Sequence, residues 1–244
     1  MQEYVFDYST YKKRLEKPIN FGFSILSLVI IFLLGICVFL KQNKTEYIEY
    51  YFVEIGQFKT FSQANKMANE LSSKSGAGFV FFDDCYHVLA GFYNNQENAK
   101  TVSSNISEEY QGAKIFSISA TKFKAKRDFT STQNKSLRSM LEYNDELITE
   151  LYNLSINIEK NTETFNAAIL KVKNLKEEHT SNFKQFKANF NGKNEQLNLK
   201  KKLNEIQNSL SHLTNCNEQD IKQKIKYELI NIVVLQCNIL NEIG

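Results

Sequence analysis

The groups able to do acid–base, nucleophilic or metal chemistry are few and scattered. His87, His179 and His212 lie far apart, and the cysteines at 37, 85, 216 and 237 show no metal-ligand spacing. Cys216 and Cys237 bracket a predicted helix. A rise of about 1.5 Å per residue holds them roughly 30 Å apart, beyond disulfide reach. All four read as unpaired thiols, and no metal or cofactor is expected. Glu54 is a lone carboxylate, whereas glycoside hydrolysis needs a second one roughly 5–10 Å away. Asp83-Asp84 reads as turn chemistry. With no nucleophile–base pair either, the expectation is a binding protein and not an enzyme.

The elements that carry these groups come from a repeat. Val53-Glu54-Ile55-Gly56-Gln57-Phe58 returns 35 residues later as Val88-Leu89-Ala90-Gly91-Phe92-Tyr93. Ala64 and Ala99 follow their glycines at one offset, Leu71 and Ile106 at another, and Tyr51 pairs with Tyr86. A fixed-period echo marks one supersecondary unit built twice. The β-branched and aromatic runs Tyr50–Ile55, Phe79–Phe82, Cys85–Ala90 and Ala113–Ile118 read as strands. Phe61, Ala64, Met67, Ala68 and Leu71 recur at helical spacing, and Asn94–Tyr110 is a second helix capped by Asn94 or Asn95. Gly76-Ala77-Gly78 is a turn, and Gly56 and Gly91 are assigned to the turns that close their strands. The order is βαββαβ, a ferredoxin-like α+β domain over residues 50–120. Alternation sends Val53, Ile55, Val88 and Ala90 toward the helices and Phe52, Glu54, His87 and Leu89 to the other face. In the second strand either Phe79 and Phe81 or Val80 and Phe82 join that face.

What flanks the module places it. Phe21–Leu40 is uncharged and apolar for twenty residues, about the thickness of a bilayer core, and a span over 18–40 is predicted. No A-x-A-like exit follows it, and Ile36 before Cys37 does not fit a lipoprotein signal. Lys12, Lys13, Arg14 and Lys17 precede the span, while Lys41 and Lys44 follow it, so the tail 1–17 stays in the cytoplasm and the rest lies outside. Residues 41–49 are a polar linker and 121–131 a basic one, the latter solvated or against anionic wall polymer or lipid headgroups. From 132 to 244 the pattern is helical. Leu137, Met140, Asn144, Leu147, Leu151, Leu154 and Ile158 form a heptad seam that continues through Phe165, Ala168, Val172 and Leu175. Breaks fall at Asn191-Gly192 and Thr214–Glu218, and the last seam runs Ile221, Ile225, Leu229, Ile232, Leu235 or Gln236, Ile239, Ile243. Short breaks favour an antiparallel bundle, with an intermolecular coiled coil as the competing reading. The net charge of +3 does not call for nucleic acid. The aromatic sheet is similar to an RNA-binding RRM, yet no RNP1-like string is present and no nucleic-acid partner is expected.

The two strand–glycine–helix halves, in this order, resemble a SPOR domain over residues 50–119. Tyr50-Tyr51-Phe52-Val53-Glu54-Ile55-Gly56-Gln57-Phe58 matches its opening and Tyr86-His87-Val88-Leu89-Ala90-Gly91-Phe92 its second half. The resemblance implies binding to peptidoglycan, above all to glycan strands stripped of stem peptides at septa, through the open face of the sheet. Phe52, Glu54, His87 and Leu89 on that face, with Gln57 after the first glycine, are then the glycan-binding residues, since sugars have apolar faces and polar edges. Three residues depart from the family pattern: Glu54 replaces a glutamine, Gln57 a small residue, and Leu89 a polar or basic one. The reading is a single-pass bacterial membrane protein of division or sporulation septa. Its helical domain at 132–244 meets septal partners or self-associates. The alternative is a tethered coiled-coil scaffold whose ferredoxin-like module is a non-binding spacer, with seam residue Asn144 fixing register.

Overall fold

The computed structural model describes residues 46–243 except 191–193, and the side-chain surroundings of 194–196 are also outside the description. The predicted tail, the span at 18–40, Cys37 and the break at Asn191-Gly192 lie outside the described residues. No described helix is long and apolar enough to cross a membrane.

Ten elements follow in order: β1 (Tyr47–Phe58), α1 (Phe61–Ser73), β2 (Phe79–Phe82), β3 (Tyr86–Tyr93), α2 (Gln96–Ile106), β4 (Lys114–Thr121), α3 (Ser131–Glu159), α4 (Phe165–Asn189), α5 (Asn194–Thr214) and α6 (Ile221–Ile243). The first six form the expected βαββαβ unit, an antiparallel sheet in the order β2-β3-β1-β4. Side-chain oxygens set the helix starts. Asn95 caps α2 by accepting from Asn98 N at 2.8 Å, and Thr130 and Gln133 form a reciprocal capping box on α3. Val53, Ile55 and Val88 meet Ala64, Ala68, Leu71 and Ala99 in a small core beneath α1 and α2. The alanines let both helices sit close to the sheet.

The repeated glycines correct the turn reading. Gly56 and Gly91 lie inside β1 and β3, which continue to Phe58 and Tyr93. Pairing slips twice nearby, leaving Ala90 and then Ile55 as extra residues in adjacent β-bulges. A Cβ on Gly56 would meet the Phe58 ring at 3.3 Å, and one on Gly91 the Tyr93 hydroxyl at 3.2 Å. Each aromatic ring folds over the glycine two residues before it, which explains the Gly-x-aromatic echo. The bulges also turn Gln57 onto the face that carries His87, its register partner.

The helical region is a four-helix bundle in which α3 neighbours α4 and α6, and α5 neighbours α4 and α6. The seam predicted to run from Ile158 into Phe165 is interrupted: Asn161 takes φ 55°, Thr164 caps α4, and the chain reverses. Heptad spacing survives the reversal because both helices point their apolar stripes at one core. Asn144 is fully buried and donates to Gln236 Oε1 on α6 at 3.0 Å, while Gln236 Nε2 donates to Asp145 Oδ1 at 3.1 Å. The seam asparagine therefore has its partner within the chain. Helix α6 is buried over most of its circumference, with Ile225, Leu229, Ile230, Ile232, Val233, Ile239 and Leu240 among the buried residues, as expected of a helix enclosed on both sides. One side meets the bundle and the other meets the sheet. Residues from 46 onward form one compact unit.

Candidate functional site

The sheet face opposite α1 and α2 carries Tyr50, Phe52 and Glu54 of β1, Phe79 and Phe81 of β2, His87, Leu89 and Phe92 of β3, and Lys114, Phe116 and Ile118 of β4. Of the two alternatives in the second strand, Phe79 and Phe81 take this side. The rings run as a row. Phe92 and Phe52 centroids are 5.7 Å apart, Phe52 and Phe116 6.3 Å, and Phe116 and His87 4.5 Å.

The bundle covers one end of this row. Tyr152 of α3 meets Phe92 edge-on at 5.8 Å, and Tyr227 of α6 lies 5.1 Å from Phe79. Polar ties fasten the cover. Gln223 Nε2 donates to Ala77 O at 2.8 Å, Thr121 Oγ1 to Leu240 O at 2.7 Å, and Asn241 Nδ2 to Ser119 O at 3.1 Å. Phe52 and Leu89 are consequently 0% exposed, which corrects the expectation that they face solvent. They belong to the same core as Leu151 and Ile232. The reason is compositional: an apolar sheet face and an apolar helix in one chain leave water together.

The other end, at the β2–β3 hairpin, is polar. Gln57, Asp83 and Lys114 are exposed, and Phe81 and Phe116 are half-buried. Among the described residues no side-chain hydrogen bond or ion pair joins this end to the bundle. Glu54 and His87 lie beneath it, buried to 0% and 3% exposure. Glu54 Oε2 is 3.0 Å from His87 Nδ1 and its Oε1 3.5 Å from Lys114 Nζ, so the departure from glutamine at position 54 has cationic and imidazole company. His87 Nε2 in turn lies 2.9 Å from Asp83 Oδ1 and 3.4 Å from Cys85 Sγ, while Gln57 Nε2 stands 3.4 Å from Nδ1. Burial opposes ionisation of Asp83, but the His87 contact and the amides of Cys85 and Asp84 hold its carboxyl below the usual range. Burial, and then the neighbouring Asp83 charge, pushes the Cys85 thiol up.

Of the residues singled out from sequence, Glu54, Gln57 and His87 come together at the hairpin end, and Phe52 and Leu89 lie under the bundle. Sequence reading missed Phe116 and Lys114. Strand alternation held the signal, since Lys114, Phe116 and Ile118 stand opposite Glu54, Phe52 and Tyr50. It also missed that Asp83, Cys85 and His87, spaced by two, share one side of the hairpin.

Comparison with known proteins gives one family: residues 49–116 match the model described as the SPOR domain. No curated protein and no solved structure matches the chain.

Proposed function

Because residues 49–116 are a SPOR domain, in general a peptidoglycan-binding module of cell-division proteins, we propose that this chain binds septal glycan strands through the hairpin end of its sheet. The observation that carries the reading is the exposed strip formed by Phe81 and Phe116 beside Gln57 and Lys114. Rings offer the apolar platform on which a pyranose face rests, and the amide and ammonium offer donors to hydroxyl and acetamido oxygens. Lys114 supplies the donor that Glu54, an acceptor when ionised, does not.

The bundle end is assigned a different role. Tyr50, Phe52, Phe79, Leu89 and Phe92 are all buried there. At about 1.5–3 kcal/mol for each large apolar side chain, uncovering them costs roughly 8–15 kcal/mol, as much as an entire domain's stability. Binding by lifting the bundle away is therefore disfavoured, and Phe52 and Leu89 act as a permanent seat for α6. The bundle rides rigidly on the wall-binding module, in keeping with a bitopic protein anchored through 18–40 that presents a helical surface outside the cytoplasmic membrane.

The burial of Phe52 and Leu89 also favours a second reading, in which the whole module is a non-binding spacer for the bundle. Pull-down of the full chain in detergent by purified sacculi separates the two. Retention that rises after amidase removes stem peptides supports glycan binding. Equal or absent retention on both sacculi supports the spacer.

A further inference from the structure

The hairpin end holds a donor set that the glycan reading does not use. Asp83, Cys85 and His87 each offer one ligand atom, and the three atoms lie within 4.8 Å of one another. The spacing is D-x-C-x-H: His87 lies at the start of β3, and the turn closed by the Cys85 amide on Asp83 Oδ1 folds Asp83 and Cys85 onto the same side. From the geometry of these residues we propose a binding site for a divalent transition-metal ion of the zinc type, ligated by Asp83 Oδ1, Cys85 Sγ and His87 Nε2.

The distances fit. Tetrahedral zinc with bonds of about 2.0–2.3 Å requires its N and O ligands to stand about 3.3 Å apart and its N and S ligands about 3.6 Å. The observed separations from His87 Nε2 are 2.9 Å to Asp83 Oδ1 and 3.4 Å to Cys85 Sγ. Asp83 is exposed in a three-residue loop and needs to withdraw by only about 0.4 Å. A carboxylate, thiolate and imidazole together match a borderline-soft cation, and not calcium or magnesium, which take oxygen alone.

An independent observation is the proton count at His87. The ring is 3% exposed and has carboxylates at both ends, Glu54 at 3.0 Å from Nδ1 and Asp83 at 2.9 Å from Nε2. A neutral imidazole carries one N–H and can donate to only one of them; Asp83 Oδ1 is already supplied by the Asp84 and Cys85 amides, so an N–H given to Glu54 leaves the Nε2 lone pair facing the Asp83 oxygen. A cation at Nε2 resolves this: Nδ1–H donates to Glu54, and the Nε2 lone pair, the Asp83 carboxylate and the Cys85 sulfur all turn to the metal. Glu54, 0% exposed, then takes the place of the outer carboxylate that orients metal-bound histidines. A coordinating thiol gives up its proton, so Cys85 would bind as the thiolate. Three protein ligands leave the fourth tetrahedral position to water, beside the exposed strip. The site does not depend on the glycan reading.

The test is equilibrium titration of untagged full-length chain in detergent with Zn²⁺, and with Co²⁺ as the spectroscopic probe. A Cys37→Ser background leaves Cys216 and Cys237, both buried in the bundle, as internal controls. The expected result is one ion per chain, with a thiolate-to-cobalt charge-transfer band. Cys85→Ala and Asp83→Asn should each abolish the band or the tight binding, and both sit in the hairpin loop, where circular dichroism should show the fold intact. Glu54→Gln should keep the stoichiometry and weaken affinity about 10–100-fold. Absence of tight binding, meaning an imidazolium paired to both carboxylates, would overturn the proposal. So would binding that survives Cys85→Ala.

Discussion

Replacing Phe52 by alanine separates a core residue from a ligand contact. Phe52 is 0% exposed, flanked by Phe92 at 5.7 Å and Phe116 at 6.3 Å and closed over by the bundle. Truncating a fully buried phenylalanine removes its transfer free energy and leaves a cavity, together about 3–5 kcal/mol. For a unit of this size each kcal/mol lowers Tm by roughly 2–4 °C, so Phe52→Ala should lower it by about 10 °C. Because the cavity opens between sheet and α6, the loss should appear in a single transition that melts strands and helices together. The chain has no tryptophan, so calorimetry and circular dichroism are the suitable assays. Phe116→Ala is the control. It is half-buried on the exposed strip and should cost only about half as much stability while lowering sacculus retention more. A Phe52→Ala protein melting within about 2 °C of the parent, yet failing to bind sacculi, would refute the assignment of Phe52 to the core.

Other expectations follow from single residues. Gly78 has φ 61°, and a Cβ there would stand 2.1 Å from Ser72 Oγ and 2.4 Å from Ala68 O. Gly78→Ala should therefore destabilise more than Gly91→Ala, whose Cβ needs only the Tyr93 ring to shift; denaturant midpoints rank the two. Burial lowers the His179 pKa to about 4, against a smaller raising effect of its Gln207 contact. Its folded pKa lies below the unfolded one, so its contribution of about 3 kcal/mol is present above pH 6.5 and fades as pH falls toward 4. Asp145, raised to about 6 by burial, acts in the opposite direction over pH 4–6. The His179 effect is accordingly read as the difference between parent and His179→Gln melting curves across that range. Asn144→Ala should cost about 1–3 kcal/mol by leaving Gln236 Oε1 unpaired and should not change the sedimentation coefficient. A shift in oligomeric state would restore a register role for Asn144 between chains.

The architecture of the sheet was legible because its signals are local. Two-residue alternation assigned Val53, Ile55 and Val88 to one side and Phe52 and Leu89 to the other, and both assignments hold. What covers the second side was not legible. Nothing in the period of α6 distinguishes a helix that meets only its two bundle neighbours from one that also meets a sheet; only the density of apolar residues from Leu229 to Leu240 hinted at it. The α3–α4 reversal was hidden for a related reason, since a helix that turns back on the same core keeps its heptad spacing. Its signs were Asn161, a residue tolerant of positive φ, and Thr164, a cap. The hairpin cluster was not legible because Asp83-Asp84 carries an ordinary turn signature, and a turn's side-chain geometry, which brings Asp83 and Cys85 to His87, is not written in residue spacing.

On the proposed reading, glycan meets the hairpin end of the sheet while the bundle stays seated. The decisive comparison is retention of the full-length chain and of its Gln57→Ala/Lys114→Ala variant on amidase-treated sacculi. Both side chains are exposed, but Lys114 also stands 3.5 Å from buried Glu54, so melting curves recorded beside the retention separate lost stability from lost binding. The parent should be strongly retained and the variant should bind at least tenfold more weakly, the loss of two hydrogen bonds at about 1 kcal/mol each. Undiminished retention of the variant, or a parent that ignores denuded glycan altogether, would contradict that reading.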